Sequence, residues 1–494
     1  MKTIDYTVDW VLEQGAARSQ SGVAFRCGEE ILSYGDLISR SGRLAQALHR
    51  GGLAKGDKVA LAVPNSLLYP VAFFGIQRGG GVAVPIHPGL TFRERDYVLE
   101  HSDALWVLSP EGGPSTGGGA AVPLALRADG SVPDLVEAGE TRGGNRVVTA
   151  ADDGLLIYTS GTTGVPKGVL LSHGNIVSNA HAVSSYLHLN PGDRHAVFLP
   201  LFYSYAISQM LSTLVAGGEV VLLDGFLYPA LALEEMGRLD VTVLAGVPTT
   251  YNLLVRLKYF RRHQLPGLRL CLNAGGPIHP DRLEELRKRF PQADIVNNYG
   301  CTEAGPRVTY LPHRELHRRG SIGVPIPGVE VTLRDEQGRE AGPGEMGEIH
   351  ISGPGVMKGY YKNEVETRRV LTKHGFRSGD WATRDADGFL FFKGRKLDII
   401  NTGGEKVSAR EVEDVLMQHP GVKEVAVVGA PDPILGEIVK AFVVPESEGA
   451  VTEDELLRLA AKELARHKVP RRFELCKNLA RTPSGKIRKI DLIG

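Results

Sequence analysis

One short segment constrains this chain more than any other. It runs Tyr158-Thr159-Ser160-Gly161-Thr162-Thr163-Gly164-Val165-Pro166-Lys167-Gly168 and follows the apolar stretch Leu155-Leu156-Ile157. Glycines let backbone N–H groups turn toward one point. Convergent N–H groups form an anion-binding nest. The hydroxyls of Thr159, Ser160, Thr162 and Thr163 add donors, and Lys167 adds a positive charge. Together they suit a polyphosphate. The order differs from the P-loop, in which Gly precedes the Lys and Ser or Thr follows it. Here Pro166 precedes Lys167 and Gly168 follows.

A chain of 494 residues is too long for one core, so two or more domains are expected. With 42% hydrophobic residues and 57 basic against 57 acidic side chains, it reads as an ordinary globular protein. The balanced charge gives no sign of a nucleic acid or an anionic membrane as partner. Cys27, Cys271, Cys301 and Cys476 are widely spaced, with no Cys-x-x-Cys or Cys/His cluster for zinc. Reduced thiols are expected, as in a cytoplasmic protein. Met1-Lys2-Thr3-Ile4-Asp5 leads into no apolar region, so no signal peptide is expected. No apolar run reaches the ~18 residues that span a bilayer.

Strand-like and helical patterns alternate along the first part of the chain. Lys58 to Pro64, Gly81 to Ile86, Val220 to Leu223 and Val241 to Ala245 read as strands. Asp281 to Phe290 reads as a helix with Leu283, Leu286 and Phe290 on one face. The alternation implies an α/β fold of layered sheets covered by helices. Glu111 to Ala121 is Gly/Ser/Pro-rich and reads as an exposed loop. The tail differs. Ser408-Ala409-Arg410-Glu411 and Thr452-Glu453-Asp454-Glu455 read as capping boxes opening two helices. Val425 to Val428 and Val439 to Val444 between them read as strands. This is a compact α+β unit of about a hundred residues, a normal domain size.

Further motifs follow the first in order: Asn273-Ala274-Gly275-Gly276-Pro277, Asn297-Asn298-Tyr299-Gly300-Cys301-Thr302-Glu303, Ser378-Gly379-Asp380-Trp381, and Arg481-Thr482-Pro483-Ser484-Gly485-Lys486-Ile487. With the Tyr158–Gly168 segment, this series resembles the adenylate-forming superfamily, which includes acyl-CoA synthetases, luciferases and the adenylation domains of peptide synthetases. The resemblance implies a large N-terminal domain, residues 1–395, and a small mobile C-terminal domain, residues 396–494. The hinge would lie in Gly394-Arg395-Lys396-Leu397-Asp398. The family's pivot is usually Asp or Lys where this chain has Leu397, with Asp398 next.

The resemblance also implies roles. ATP or AMP would bind the loop Thr159, Ser160, Gly161, Thr162, Thr163, Gly164 and Lys167. The purine would meet Gly275, Gly276, Pro277, Asn297, Asn298, Tyr299 and Gly300. Thr302 would offer a hydroxyl to the α-phosphate. Glu303 would ligate Mg²⁺ as a hard oxygen donor. Asp380 would accept hydrogen bonds from the ribose hydroxyls, with Arg395 near ribose and phosphate. Lys486, on a Gly-flanked loop, would place a point charge where the carboxylate meets the α-phosphate. Lys486, Lys167, Thr302 and Glu303 are thus the expected catalytic set.

The implied reaction forms acyl-AMP and pyrophosphate from a carboxylic acid and ATP, then transfers the acyl group to a thiol. Leu199-Pro200-Leu201-Phe202-Tyr203-Ser204-Tyr205 resembles an acyl-pocket segment of acyl-CoA synthetases, with Tyr203 where a histidine is usual. No Asp lies between Phe198 and Gln209. That argues against an amino-acid substrate, whose buried ammonium needs a partner. Tyr203 and Tyr205 suit either an aryl acid or an aliphatic chain. Val247, Ala274, Gly300 and Cys301 would line the rest. Gly403, Gly404, Lys406 and Gly436 would face the thiol arm. Coenzyme A is the expected acceptor, and the phosphopantetheine of a carrier protein is the alternative. A third reading, a non-catalytic nucleotide-binding relative, is opposed by the presence of Lys167, Glu303, Asp380 and Lys486. Relatives of this kind are often monomers or homodimers.

Overall fold

The computed structural model describes residues 6–87, 90, 92–110, 121–133, 135, 147–159, 166–257, 265–276, 278, 280–395, 398–402, 405–432, 435–464, 466–481 and 487–492. The chain folds as two compact units, Met1–Val331 with Ile351–Phe376, and Thr332–His350 with Arg377–Gly494. The fold is α/β, as the alternating pattern implies.

In the first unit, strands and helices alternate from residue 194 onward. Strand Arg194–Val197 leads to helix Ser204–Ala216, strand Glu219–Leu222 to helix Pro229–Arg238, and strand Val243–Gly246 to helix Pro248–Arg256. Strand Leu270–Asn273, helix Pro280–Arg289 and strand Asp294–Tyr299 complete the series. Helical crossovers of this kind make neighbouring strands parallel. Val243–Gly246 pairs with Leu270–Asn273, and Leu270–Asn273 with Asp294–Tyr299, both parallel and in register. Burial is continuous on both faces of Val243–Gly246 and Leu270–Asn273, as expected where helices cover both sides. Proline opens the helices that follow, at Pro229, Pro248 and Pro280. Its missing N–H costs nothing in the first turn.

A second, seven-stranded sheet of the same unit runs in the order Gly359–Tyr360, Lys167–Ser172, Asp153–Thr159, Val82–Pro85, Lys58–Leu61, Ala104–Ser109, Val122–Ala125. Strand Lys167–Ser172 ends at a capping box. The Ser172 hydroxyl accepts from the Asn175 N–H at 3.1 Å, and the Asn175 side chain accepts from the Ser172 N–H at 2.8 Å. Both open helix His173–Tyr186.

In the second unit, strands Ile399–Thr402, Gly436–Pro445 and Val422–Asp432 are consecutive neighbours. Glu405–Ser408 pairs with the first of them and Arg472–Leu475 with the second. Helices Ala409–Leu416 and Glu453–Glu463 cover a core of Val407, Val412, Leu416, Val425, Val427, Val439, Ala441, Val443 and Leu456. Thr452 and Glu455 form the full capping box. At Ser408 only half of one forms. Its hydroxyl accepts from the Glu411 N–H at 3.3 Å, but the Glu411 carboxylate takes the Lys468 ammonium at 2.6 Å. A tertiary ion pair displaces the local bond. Among the described residues no helix is long and apolar enough to cross a membrane.

His173 links its helix to the N-terminal segment. Its ring is fully buried, and Nδ1 accepts from the Val8 N–H at 3.1 Å. Burial pushes its pKa down to about 4. The unfolded chain takes up this proton near pH 6.5, the fold only near pH 4, so stability falls as pH drops through that window. His195, also buried and pushed down to about 3, adds a slope of the same sign. His173 alone accounts for about 3 kcal/mol at full protonation of the unfolded chain. The urea midpoint of the native protein should fall between pH 7 and pH 4.5, and that of His173→Gln should fall less. An equal fall in both would refute the assignment.

Candidate active site

The strands that flank residues 160–165 are joined at their ends. Strand Asp153–Thr159 pairs antiparallel with Lys167–Ser172, and Thr159 stands opposite Lys167 as the last pair. The Thr159 hydroxyl reaches the Lys167 carbonyl at 3.5 Å. Ser160, Gly161, Thr162, Thr163 and Gly164 lie outside the described residues.

Lys167 is tied to distant parts of the chain. Its Nζ pairs with Glu366 at 2.7 Å and lies 5.2 Å from the centre of the Tyr360 ring. The Tyr360 hydroxyl donates to Glu303 Oε1 at 2.9 Å. Tyr360 reaches this place because strand Gly359–Tyr360 pairs with Lys167–Ser172, setting Tyr360 opposite Val169. Lys167 and Glu303, from separate motifs, therefore meet across one aromatic ring. Burial would raise Glu366, but hydrogen bonds from Arg369 and Lys167 outweigh it and hold its carboxyl below the ordinary value. Burial, and next the Glu303 carboxylate, push the Tyr360 hydroxyl well up, so it stays a donor.

The Glu303 backbone is fixed as well. The Met357 N–H donates to its carbonyl at 2.8 Å. Thr302 Oγ1 lies 2.9 Å from the Oγ of Ser204, the first residue of helix Ser204–Ala216. Glu303 is partly exposed, with Tyr360 on one carboxylate oxygen. Among the described residues no group of three or more His, Cys, Asp or Glu gathers to hold a metal. Glu303 suits Mg²⁺ in the usual way, one carboxylate completed by substrate phosphates and water.

The ends of the parallel strands form the adjoining surface. Asn273 stands beside Asn297, and its amide donates to Asn297 Oδ1 at 2.6 Å and to the Gly276 carbonyl at 2.7 Å. Successive strand residues face opposite ways. Asn297 is thus partly exposed while Asn298 is buried. The Asn298 Oδ1 accepts from the Tyr186 hydroxyl at 2.5 Å, and its Nδ2 donates to the Asn273 carbonyl at 3.1 Å. The structure gives that side chain a bracing place rather than an open one. Gly275 has φ +80°, and Val247 lies beside it. Gly276 lies against Pro248, and Pro277 is outside the described residues. At Gly300 a Cβ would press into the Pro306 carbonyl and come within 2.8 Å of the Arg307 nitrogen. Ala274 is buried, while Val247, Tyr299, Gly300 and Cys301 are partly exposed. Tyr203 precedes helix Ser204–Ala216 and is 46% exposed, its ring 4.3 Å from that of Phe202. Tyr205 is partly exposed, with the Arg307 guanidinium 4.7 Å from its ring centre.

In the second unit Asp380 and Arg395 are partners across strands Gly375–Arg384 and Leu390–Arg395, with Nε to Oδ1 3.4 Å. Asp398 accepts from the Arg395 N–H at 3.2 Å and pairs with Lys489 at 2.8 Å. Lys489 also pairs with Glu413 at 2.8 Å. Burial alone would lower Lys489, but Glu413 and Asp398 outweigh it and hold it above its ordinary value. Leu397 lies outside the described residues. So do Gly403 and Gly404. Lys406 is registered with Asn401, and Gly436 with Thr402. Lys486 also lies outside, but Arg481 and Ile487 pair as an antiparallel bridge at the base of its loop.

Sequence reasoning missed Tyr360, Glu366, Ser204, Asn273, Arg307 and Lys489. Asn273 lies within one of the five motifs and carried a signal, being a polar residue that closes an apolar strand, and Ser204 lies within the quoted segment Leu199 to Tyr205. The others are placed by long-range pairing, which no local pattern encodes.

In the first unit the parallel β/α fold brings Lys167 and the Glu303 carboxylate to the two sides of one tyrosine, an arrangement suited to handling a nucleotide. The model of the AMP-binding enzyme family matches residues 12–361, and that of the AMP-binding enzyme C-terminal domain matches residues 411–486. The chain belongs to the AMP-binding enzyme family. It is 37% identical over 486 residues to a feruloyl-CoA synthase of an Amycolatopsis species, covering 96% of each chain. It is 34% identical over 525 residues to a long-chain-fatty-acid–CoA ligase of Salmonella typhimurium, covering 98% of this chain and 93% of the other. The structure resembles ATP-bound MatB from Rhodopseudomonas palustris, with TM-score 0.85 and 30% identity over 99% of this chain and 98% of that one.

The close approach at Gly300 gives a direct test. Gly300→Ala should destabilise the protein by about 1–3 kcal/mol, because the neighbour that must give way is backbone. Denaturant unfolding would measure it. A change below a few tenths would show that the segment yields freely.

Proposed function

We propose that Lys167, Thr302, Glu303 and Lys486 carry acid activation in this chain, and that the resulting acyl-AMP passes to coenzyme A. The reaction class itself is ATP-dependent, AMP-forming ligation of a carboxylic acid to coenzyme A. The observation that supports the assignment most is the chain Lys167–Tyr360–Glu303, which joins two motifs at one point.

A carboxylate and a triphosphate repel, so catalysis here is positioning and charge neutralisation. Lys167 supplies one fixed cation beside the phosphate loop. Its pairing with Glu366 keeps the ammonium in place and gives a phosphate a carboxylate to replace. Thr302, braced by Ser204, offers its hydroxyl to the α-phosphate. Glu303, oriented by Tyr360 and by the Met357 N–H, would hold Mg²⁺, whose charge would offset that of the phosphates. Asn297, Tyr299, Gly275 and Gly276 supply the purine surface, with Asn273 aligning Asn297. Asp380 and Arg395 serve the ribose. We place the hinge between residues 395 and 396, inside the second compact unit, with Asp398 rather than Leu397 as its polar residue, since Asp398 ties Arg395 to Lys489. Lys486 assists the first step and withdraws for the second, when the segment around Gly403, Gly404 and Lys406, with Gly436, faces the thiol.

Lys486→Ala should cripple pyrophosphate release yet spare thioester formation from supplied acyl-AMP. Equal loss in both would sink that role. Glu303→Gln should lower acid-dependent pyrophosphate release by about 10²–10³, the scale of one preorganised contact. A loss confined to KM for the acid would place Glu303 elsewhere. Coenzyme A should accelerate release. Release indifferent to coenzyme A would point to a carrier-protein thiol instead.

A further inference from the structure

Helix Ser204–Ala216 carries Tyr205, Ser208 and Gln209, spaced so that they share one face. Arg307 lies against that face. It follows the Thr302-Glu303 motif by a few residues and is fully buried. Its Nη1 donates to Ser208 Oγ at 2.8 Å, and its guanidinium stands 4.7 Å from the Tyr205 ring centre. Asn179 braces both parts of this pair. Its Nδ2 donates to the Arg307 carbonyl at 2.8 Å, and its Oδ1 accepts from Ser208 Oγ at 3.2 Å.

The cluster is incomplete in a specific way. Arg307 Nε and Nη2 meet no acceptor in bonding geometry, and Gln209, fully buried, has neither Nε2 nor Oε1 bonded. The Tyr205 hydroxyl makes no bond of full geometry either, although Arg307 and Gln209 stand close enough to offset part of the rise that burial imposes on its pKa. Among the described residues no carboxylate pairs with Arg307, whereas Lys167, Arg269 and Arg377 each have one. A guanidinium is always charged. Buried charges are normally paired, and buried polar groups normally bonded. Ring stacking over Tyr205 compensates only part of this.

The cluster also adjoins the acyl segment. The Arg307 nitrogen backs directly onto Gly300, and Ser204, next to Tyr205, bonds Thr302. Resting on the ligase reading above, we propose that the acid carries a second, distal anionic group, a carboxylate or a sulfonate. Arg307 binds this group, and the Gln209 amide and Tyr205 hydroxyl complete its hydrogen bonds. The reacting carboxylate sits at Thr302, and the second anion lies beyond it against helix Ser204–Ala216. Neutralising Arg307 and satisfying its two orphaned nitrogens is what selects the substrate.

Pyrophosphate release with ATP and coenzyme A tests this over matched lengths of dicarboxylic, ω-sulfo, ω-hydroxy and unsubstituted acids. One anionic series should be preferred, and the comparison of dicarboxylic with ω-sulfo acids tells which. Arg307→Met should raise KM for that series roughly 10- to 100-fold, the scale of a lost charge-assisted hydrogen bond. The same variant should improve the unsubstituted acids. Gln209→Leu should shift the preference the same way by a smaller factor, and serves if Arg307→Met fails to fold. Preference for unsubstituted acids, or equal loss on every acid in both variants, would overturn the proposal and leave Arg307 a structural residue. No release from any acid would count against the ligase reading instead. Thermal-shift titration of the native protein with the dicarboxylic and ω-sulfo acids then decides the binding claim alone, stabilisation supporting it and no shift overturning it.

Discussion

The site in the first unit depends on one constraint, the in-register parallel pairing of Val243–Gly246, Leu270–Asn273 and Asp294–Tyr299. Parallel strands linked by helices end together at one edge of the sheet, and the loops leaving them are left side by side. Val247, Ala274 to Gly276, and Gly300 to Glu303 are those loops. A slip of one residue would turn Asn297 inward and Asn298 outward. The Asn273 amide, bonded to Asn297 across the register, and the Tyr186 hydroxyl, bonded to Asn298, oppose such a slip from the two faces.

Charge is organised around the same edge. Lys167 is partnered by Glu366, and Glu303 by Tyr360, so neighbouring side chains hold both in place. In the second unit Lys489 bridges Asp398 and Glu413 in a partly buried triad. Such pairs add little net stability, since desolvation offsets their attraction, but losing one partner strands the other. Arg307 differs from all of these, because its partners are a hydroxyl and a ring rather than a carboxylate. Among the described residues no carboxylate stands beside it, although its side chain is fully buried.

Much of this was legible in the residue order. The alternating apolar runs gave the α/β class, and the strands at 82–85 and 219–222 fall within a residue of their expected places, while the one expected over 58–64 ends at Leu61. Five motifs identified the family before any contact was known. Thr452 and Glu455 capped their helix as their spacing required. The same spacing at Ser408 and Glu411 gave only half a box, because Lys468 competes for the carboxylate. Asn298 sat inside a recognised motif, yet its side chain turned out to face the core.

What the sequence determined by itself is local chemistry: which residues bend freely, which carry charge, and which hydrophobic periods make strands or helices. Those depend on neighbours within a turn or a strand, so they survive in a linear reading. The tertiary structure alone decided that Tyr360 joins Lys167 to Glu303, that Glu366 pairs with Lys167, and that Arg307 is buried against a hydroxyl and an aromatic ring. Each follows from strand pairing or helix packing between segments far apart in the chain. Whether a charge there is satisfied depends on which side chains the folded layers bring to it.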